Sequence, residues 1–360
     1  MKKILYIVST LKKSGPTNQL FNIISNLDRT GFEPILVSLS PETKDSKWRD
    51  YEVLGIEMHS LNLSRLEGLF FAKSKLKSLL NKLKPNLIHT QGIRADGLSA
   101  SMKLNTPKVA TIRNFPQIDF PMTYGRILGA WMVWRQTRAL RKLNLSVGVS
   151  KAVKLNLEAK FNLSNTSVVQ NGVDTVAYHA VTVRKKSELR VKLGLPVENI
   201  VWVVSGHLSE RKDPLFLIKI WHKVLDFDKN NTLVFIGGGV LEQDCKIQAG
   251  QLDSVKVLGR VNNVNEYLMA SDFYVSSSVA EGLPNAALEA MACGLPVLLS
   301  DIEPHKEIFE MNANIGALFK LGDEASFLQS FKSLVGSDYY TQRKAAQDLI
   351  ESDLSAVKMS

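Results

Sequence analysis

"DFYVSSSVAEGLPNAALEAMACGLPV", residues 272–297, is the stretch that decides the fold. It opens on a short apolar run, Phe273–Ser276, and closes on another, Pro296–Leu299. Between them lie a serine- and glycine-containing loop and a helix-length apolar segment, Asn285–Ala292, that ends at Cys293-Gly294. Strand, loop, helix, turn and strand in that order make a parallel βαβ unit. The same alternation runs through the whole chain. In the first half, strands are expected at Ile4–Ser9, Pro34–Ser38, Leu87–His89, Val109–Ile112, Ser146–Val149 and Ser167–Val169, with helices at Thr17–Leu27 and Phe71–Leu83. In the second they are expected at Ile200–Ser205, Thr232–Ile236, Val255–Leu258, Phe273–Ser276 and Pro296–Leu299, with helices near Leu215–Leu225, Asn263–Met269 and Asn285–Ala292. The fold class is therefore α/β, with two Rossmann-like, doubly wound parallel sheets facing a central cleft. The charged stretch "VRKKSELRVKLGLPVEN" marks the junction. The expected division is a first domain over 1–175, a linker over 176–198, a second domain over 199–345 and a terminal helical segment over 346–360.

At 360 residues the chain suits two domains, and a 45% apolar content supplies the cores. It has no run of eighteen or more apolar residues, so no transmembrane helix is expected. "MKKILYIVSTLKKSG" has the basic start of a signal peptide, but its apolar patch is short and lacks a cleavage site. Two cysteines, Cys245 and Cys293, form neither a disulfide framework nor a metal cluster, which fits a cytoplasmic setting. Charge is unevenly spread: residues 1–180 hold 26 Lys and Arg against 12 Asp and Glu, and residues 181–360 hold 19 against 23. An anionic partner for the first half would explain this. No helix-turn-helix, RNP or zinc pattern supports nucleic acid.

Two motifs mislead. "FIGGGVLEQ" (235–243) resembles a dinucleotide fingerprint, but Glu242 stands where the third glycine belongs. It reads better as a glycine-rich strand-to-helix turn where backbone approaches a ligand closely. "DFD" (226–228) resembles a metal clamp but falls at a helix end and not after a strand.

The chemistry concentrates after the strands of the second half. Pro284 suits the first position of a helix. The helix start near Asn285 then offers unpaired N–H groups and a positive dipole end, suited to phosphate. Glu281 precedes that start and Glu289 follows it. Carboxylates tolerate a phosphate neighbour when hydroxyls stand between, so a diphosphate flanked by a hexose and a ribose satisfies the pattern. Glu289 alone would also read as an ordinary dipole partner. In "SGHLSERKDPLFLIKIW" (205–221), Arg211 and Lys212 precede a helix at Pro214 and would face a departing diphosphate. "VVQNGVD" (168–174) adds a strand and a tight Asn-Gly turn.

Taken together, "KKILYIVSTLKKSG", "KPNLIHTQG", "VGVSKAV", "VVQNGVD", "GHLSERKDP" and "AEGLPNAALEAMACGLPV" resemble the retaining glycosyltransferases of family 4, which have the GT-B fold. The resemblance implies a nucleotide-sugar donor held mainly by the second domain, an acceptor site on the first, and no cofactor or metal. It places Glu281 on the donor sugar, Glu289 on the ribose and Lys212 on the diphosphate, with Gly15 in the first strand–helix loop. Gly282, Leu283, Pro284 and Asn285, with Arg260 and Val261 of "LGRVNN", complete the expected donor side. Three departures stand out. His207 occupies the place where the family usually has arginine, and Arg211 would supply the guanidinium instead. "TIRNF" puts Arg113 and Asn114 where a histidine is common. The end, "DLSAVKMS", is short for a helix that often crosses back to the first domain.

In "YGRILGAWMVWRQTRALRKLNL" (124–145), helical projection gathers Trp131, Trp134, Arg135, Arg138, Arg141 and Lys142 on one side, with Leu128, Met132, Leu140 and Leu143 opposite. Trp and Arg on one face suit an anionic membrane surface. The expectation is an enzyme attached peripherally to the inner face of the cytoplasmic membrane, with a lipid-linked saccharide as acceptor. The competing readings are a sugar-nucleotide-binding scaffold without activity and a GT-B epimerase or inverting transferase.

Overall fold

The computed structural model describes residues 1–360. The chain divides into two compact units, Met1–Asn171 with Met359–Ser360, and Gly172–Lys358.

The first unit holds seven strands: β1 (Lys2–Val8), β2 (Phe32–Ser38), β3 (Glu57–Ser60), β4 (Leu87–Gln91), β5 (Lys108–Ile112), β6 (Leu145–Gly148) and β7 (Thr166–Val168). They form one sheet in the order β3-β2-β1-β4-β5-β6-β7, and every pairing is parallel. Side chains alternate across a strand. Leu5 and Ile7 accordingly pack with Ile35 and Val37 on one face, and Ile4, Tyr6 and Val8 with Leu36 on the other. A parallel strand covered on both faces needs an apolar residue at nearly every position, hence the unbroken "ILYIV". β3 was not expected. It is a half-exposed edge strand of four residues whose sequence, "EMHS", carries no apolar run.

The segment 124–145 is not one helix. Gly125, at φ +81, separates helices Pro116–Tyr124 and Arg126–Leu140. The two pack closely at Gly129, where a Cβ would lie 2.5 Å from the Pro121 Cα. Leu140 and Leu143 are buried, while Leu128, expected inside, is half exposed with Trp131 and Trp134.

The second unit holds β8 (Ile200–Ser205), β9 (Asn231–Ile236), β10 (Val255–Val257), β11 (Phe273–Ser276), β12 (Val297–Ser300) and β13 (Gly316–Phe319), in the order β10-β9-β8-β11-β12-β13. Its core centres on Trp202, which stacks on Phe273 with ring centroids 4.5 Å apart and meets Trp221 edge-on. β13 also escaped the sequence pattern: it is short and begins with glycine, because the β12 backbone at Val297 leaves no room for a Cβ at Gly316. The "NGVD" segment is not a tight turn. Val173 bridges to Ser355, and Gly172 lacks a Cβ where one would overlap the Ser355 carbonyl.

The stretch 176–198 is not a linker. It contains the helix Val183–Leu193, which belongs to the second unit. Its charged composition hides one buried cation, Arg190, which is 6% exposed. Arg190 donates to the carbonyls of Ala270 (2.9 Å), Val197 (2.8 Å) and Asn199 (2.9 Å), and pairs with Asp272. Asp272 in turn accepts from the Val201 N–H at 2.8 Å, so the helix is tied to the start of β8. Truncating one partner of such a buried pair typically costs about 3–5 kcal/mol. Arg190→Ala is expected to lower the urea midpoint accordingly; a change near 0.5 kcal/mol, normal for a surface position, would return this segment to linker status.

Candidate active site

In the second sheet the strand order reverses between the parallel neighbours β8 and β11, and ligands bind outside strand C-termini at such a switch point. The loops leaving these two strands carry the sequence-predicted acid and cations. Glu281, 6% exposed, lies in the loop between β11 and the helix Asn285–Ala292. Lys212 Nζ pairs with its Oε1, and Arg211 Nη1 reaches Oε2 at 3.2 Å and the Ala280 carbonyl at 2.9 Å. Backbone contacts lock the same loops together. The Val279 N–H donates to the Arg211 carbonyl at 2.8 Å, and Ser277 Oγ donates to the Lys212 and Asp213 carbonyls at 3.1 and 2.7 Å. Asp213, the residue before the helix Pro214–Phe227, adopts the left-handed region at φ +44 to make the turn.

Burial raises the Glu281 carboxyl, but the charges of Lys212 and Arg211 outweigh it and hold the group at about 2. Glu289 behaves oppositely. It sits in the second turn of its helix, and burial lifts it to about 7, only partly countered by Lys212. Two carboxyls that both feel the charge of Lys212 therefore differ in protonation near neutral pH. The helix itself starts at Asn285, and Pro284, expected as its first residue, is the N-cap. Its first turn carries no acid, so no carboxylate competes with an anion there, although the Asn285 N–H donates to the Leu283 carbonyl at 2.9 Å. Gly282, Leu283 and Pro284 are buried beneath this start, and Asn285 is partly exposed at it.

The three glycines of "FIGGG" do not cradle a dinucleotide. A Cβ on Gly237 (φ +136) would overlap the Gly206 carbonyl, and one on Gly239 the Leu208 carbonyl. They let the loop after β9 pack against the loop after β8, with the Leu208 N–H donating to Gly238 O at 3.0 Å. Arg260 lies beside this packing, its Cβ 3.9 Å from the position a Gly238 Cβ would take, and Val261 follows it, half-buried. His207 is exposed on the same loop as Lys212. "DFD" closes the helix Pro214–Phe227, where the Asp228 carboxylate accepts from the Asn230 N–H at 2.9 Å. No group of three or more His, Cys, Asp or Glu side chains converges as a metal site would require.

In the first unit Gly15 opens the helix after β1, exposed, and Arg113 and Asn114 directly follow β5. Arg113 donates to Asn171 Oδ1 at 2.9 Å and to Gln91 Oε1 at 3.2 Å.

Sequence reasoning missed the groups behind Glu281. Ser278 Oγ donates to its Oε1 at 2.9 Å and meets Ser276 Oγ at 2.8 Å. Ser300 Oγ, at the end of β12, donates to the Ser278 carbonyl at 2.6 Å, and buried His305 bonds the Ser300 carbonyl through Nδ1 at 2.7 Å. The serine triplet "SSS" (276–278), three residues before the acid at its nearest, was the available signal. His305, 24 residues beyond Glu281 on a helix after the next strand, left none.

Two family matches together cover most of the chain: residues 13–177 match "Glycosyltransferase Family 4" and residues 185–352 match "Glycosyl transferases group 1". An uncharacterized glycosyltransferase of Haemophilus influenzae is 25% identical over all of this chain and 98% of its own length. The UDP-Gal:alpha-D-GlcNAc-diphosphoundecaprenol alpha-1,3-galactosyltransferase of Escherichia coli is 26% identical over 71% of this chain and 67% of its own. Among solved structures, Anabaena HepE in complex with UDP and glucose superposes with a TM-score of 0.82 at 20% identity, covering 100% of this chain and 97% of that one. The sucrose-phosphate synthase of Thermosynechococcus elongatus superposes at 0.80 with 16% identity, covering 99% and 95%. Two parallel-sheet units, a carboxylate and its cations at a switch point, and family matches over both halves lead to one assignment: the chain belongs to the family 4 glycosyltransferases and has the GT-B fold.

Proposed function

We propose that this glycosyltransferase moves a hexosyl or N-acetylhexosaminyl group, with retention, from a nucleotide sugar to a lipid-linked saccharide in bacterial polysaccharide or glycolipid assembly. The observation that carries the reading is the cluster of Glu281, Lys212 and Arg211 on the loops at the switch point of the second unit, with Glu289 within range of the Lys212 charge. The relative from E. coli, by its name, takes UDP-galactose and a diphosphoundecaprenol-linked acceptor, and HepE was solved with UDP and glucose; both support the donor class.

On this reading the diphosphate lies at the helix start beside Asn285, and Glu289 accepts the ribose hydroxyls. Lys212 leaves Glu281 for the diphosphate, and sugar hydroxyls replace it as donors to the carboxylate. As the glycosidic bond breaks, Lys212, Arg211 and the helix terminus meet the charge developing on the leaving group, a task for which we assign no metal. The acceptor hydroxyl attacks from the same face and its proton passes to the departing phosphate, so no side-chain base is assigned. Gly15, Arg113 and Asn114 belong to the acceptor side, on the first unit.

Thermal-shift measurements against UDP-, GDP- and other sugar nucleotides test the donor. A ligand at a hundred times its dissociation constant stabilises by about 2.7 kcal/mol. One nucleotide class is expected to stabilise the wild type but not Lys212→Ala. Glu281→Gln is expected to keep nucleotide binding and to lose turnover by about 100-fold or more. Wild-type turnover retained in that variant would remove Glu281 from the mechanism. A wild type that binds nucleotide without any turnover would instead favour a scaffold.

The half-buried Glu289 gives a pH signature. Its folded value of about 7 exceeds its ordinary value of 4.5, so the folded state holds an extra proton between these limits. Ligand-free stability therefore falls as pH rises through that window, by about 1–3 kcal/mol in total. Glu289→Gln is expected to flatten this slope. Sugar-nucleotide affinity should run the other way, rising between pH 6 and 8 as the carboxylate forms, and this rise should vanish in Glu289→Gln. An affinity independent of pH in the wild type would take Glu289 off the ribose.

A membrane surface is the second element of the reading. Trp131, Trp134, Ile127 and Leu128 are exposed on the helix Arg126–Leu140, with Arg135 and Arg138 over the two indole rings at 5.3 and 5.5 Å. Leu66, Leu69, Phe70 and Phe71 are exposed on the helix Arg65–Leu83, a group the sequence reading did not single out. Arg94 links the two: its Nη2 lies 3.1 Å from where a Gly68 Cβ would be, and its charge is felt alongside Arg65 and Arg135. Exposed aromatics ringed by arginine suit an anionic lipid interface. Cosedimentation with vesicles containing about 30% phosphatidylglycerol should fall with salt, be absent on neutral vesicles, and drop about tenfold in Phe70→Glu/Trp134→Glu. Equal binding to neutral vesicles would sink the electrostatic part.

A further inference from the structure

Arg113 is a cation built into the first unit without an anion. Its guanidinium donates to two amide oxygens, Asn171 Oδ1 and Gln91 Oε1, and forms no ion pair. Gln91 and Asn171 are 8% and 3% exposed, so the fork closes over a nearly dry floor. Two donors there are buried with no acceptor, Arg113 Nε and Gln91 Nε2. The neighbouring titratable groups give no compensation. Burial lowers the Arg113 pKa to about 10, with only the phenol of Tyr51 acting on it. Burial, then the charge of Arg113, holds His89 neutral at about 4.

Arg113 is half-buried with its Nε fully covered, and a charge withdrawn from water without a counter-ion costs stability. If Arg113 merely tied Gln91 to Asn171, an amide would serve without burying a charge. Its place also counts: Gln91 ends β4, Arg113 follows β5 next to it, and both lie on the C-terminal edge of the sheet, beside the β1–β4 switch point. Unpaired donors, a desolvated guanidinium and a ligand-binding edge share one requirement, an acceptor with negative charge.

We infer that Arg113, with Gln91 and Asn171, forms a binding site for an oxyanion, a carboxylate or phosphate group carried by one of the two substrates. The planar fork of arginine suits either group. The inference relies on the proposed transfer reaction only for the words "one of the two substrates", since anion binding is measured without a sugar nucleotide.

The probes are D-glucuronate and inorganic phosphate, with D-glucose as the neutral control, followed by thermal shift and calorimetry on the full chain. Both anions should stabilise the wild type and Lys212→Ala at millimolar concentration, and glucose should not. Arg113→Gln should weaken anion binding about tenfold or more, the loss expected for charged hydrogen bonds. The ligand-free melting temperature of that variant should rise, because the unpaired charge is gone. Equal anion binding in wild type and Arg113→Gln, or none in the wild type, would overturn the site. A fall in melting temperature with unchanged anion binding would make Arg113 a structural tie instead. Should Arg113→Gln fail to fold, phenylglyoxal labelling of the wild type replaces it: glucuronate should protect Arg113, and labelling unaffected by glucuronate would overturn the site.

UDP-glucuronate against UDP-glucose then assigns the source. A preference for the uronate that disappears in Arg113→Gln places the anion on the donor sugar. Phosphate binding that adds to UDP-glucose binding and needs Arg113 places it on the acceptor. Arg113-dependent glucuronate binding with no sugar nucleotide bound at all would leave this site standing and overturn the donor reading.

Discussion

A carboxylate shut away from water must be neutralised or matched, and the architecture of the second unit depends on how Glu281 is matched. Its side chain is 7% exposed, with Lys212, Arg211 and Ser278 satisfying it from three directions. Two of these lie on the loop after β8 and one on the loop after β11. Satisfying one charge therefore fixes two loops against each other, and Ser277 completes the bond through the Lys212 and Asp213 carbonyls. The pair adds little net stability, because desolvating both ions offsets most of their attraction. What it supplies is geometry: neither loop can move without stranding a charge. The glycines at 237 and 239 serve the same end, by letting the loops after β8 and β9 touch through backbone.

The match also makes donor binding an exchange. On the proposed reading, a diphosphate takes Lys212 and sugar hydroxyls take its place on Glu281, so no new charge has to be buried unpaired. Glu289 is the exception. Its carboxyl is protonated up to about pH 7 in the ligand-free protein and has to ionise to accept a ribose diol. Proton release is thereby coupled to nucleotide binding at one acid and not at the other. The difference arises from distance to the cations, since both acids stand near the same helix start.

How legible this was depends on whether a residue's local sequence reports its surroundings. Buried parallel strands announce themselves, because covering both faces demands unbroken apolar runs such as "ILYIV" and "IVWVV". Edge strands β3 and β13 are half covered and look like loops. Arg190 was hidden because a helix with one buried cation among exposed ones has the composition of a solvated linker. Asn171-Gly172 has the dipeptide of a tight turn, but the glycine is there to clear Ser355, 183 residues away. In the site, Glu281, Arg211 and Lys212 were readable from their positions just after strands. In the ligand-free fold Arg211 and Lys212 both reach Glu281, and Arg211 also the Ala280 carbonyl. Ser300 and His305 reach the acid through long-range bonds that no local pattern encodes.

The same reasoning separates the two cation sites. Lys212 and Arg113 each lie just beyond a strand, at the C-terminal edge of a parallel sheet. Lys212 has a carboxylate waiting in its own unit, whereas Arg113 has two amides. The excess of basic residues in the first half does not make Arg113 one of many. Most of those cations, such as Lys73, Lys75 and Lys77, are exposed, and water screens them at almost no cost. A half-buried guanidinium held only by two neutral amides is a different object, because water screens it less and no counter-ion is bonded to it. Net charge therefore says that an anion would be attracted, and only the buried fork says where a single oxyanion group would stop.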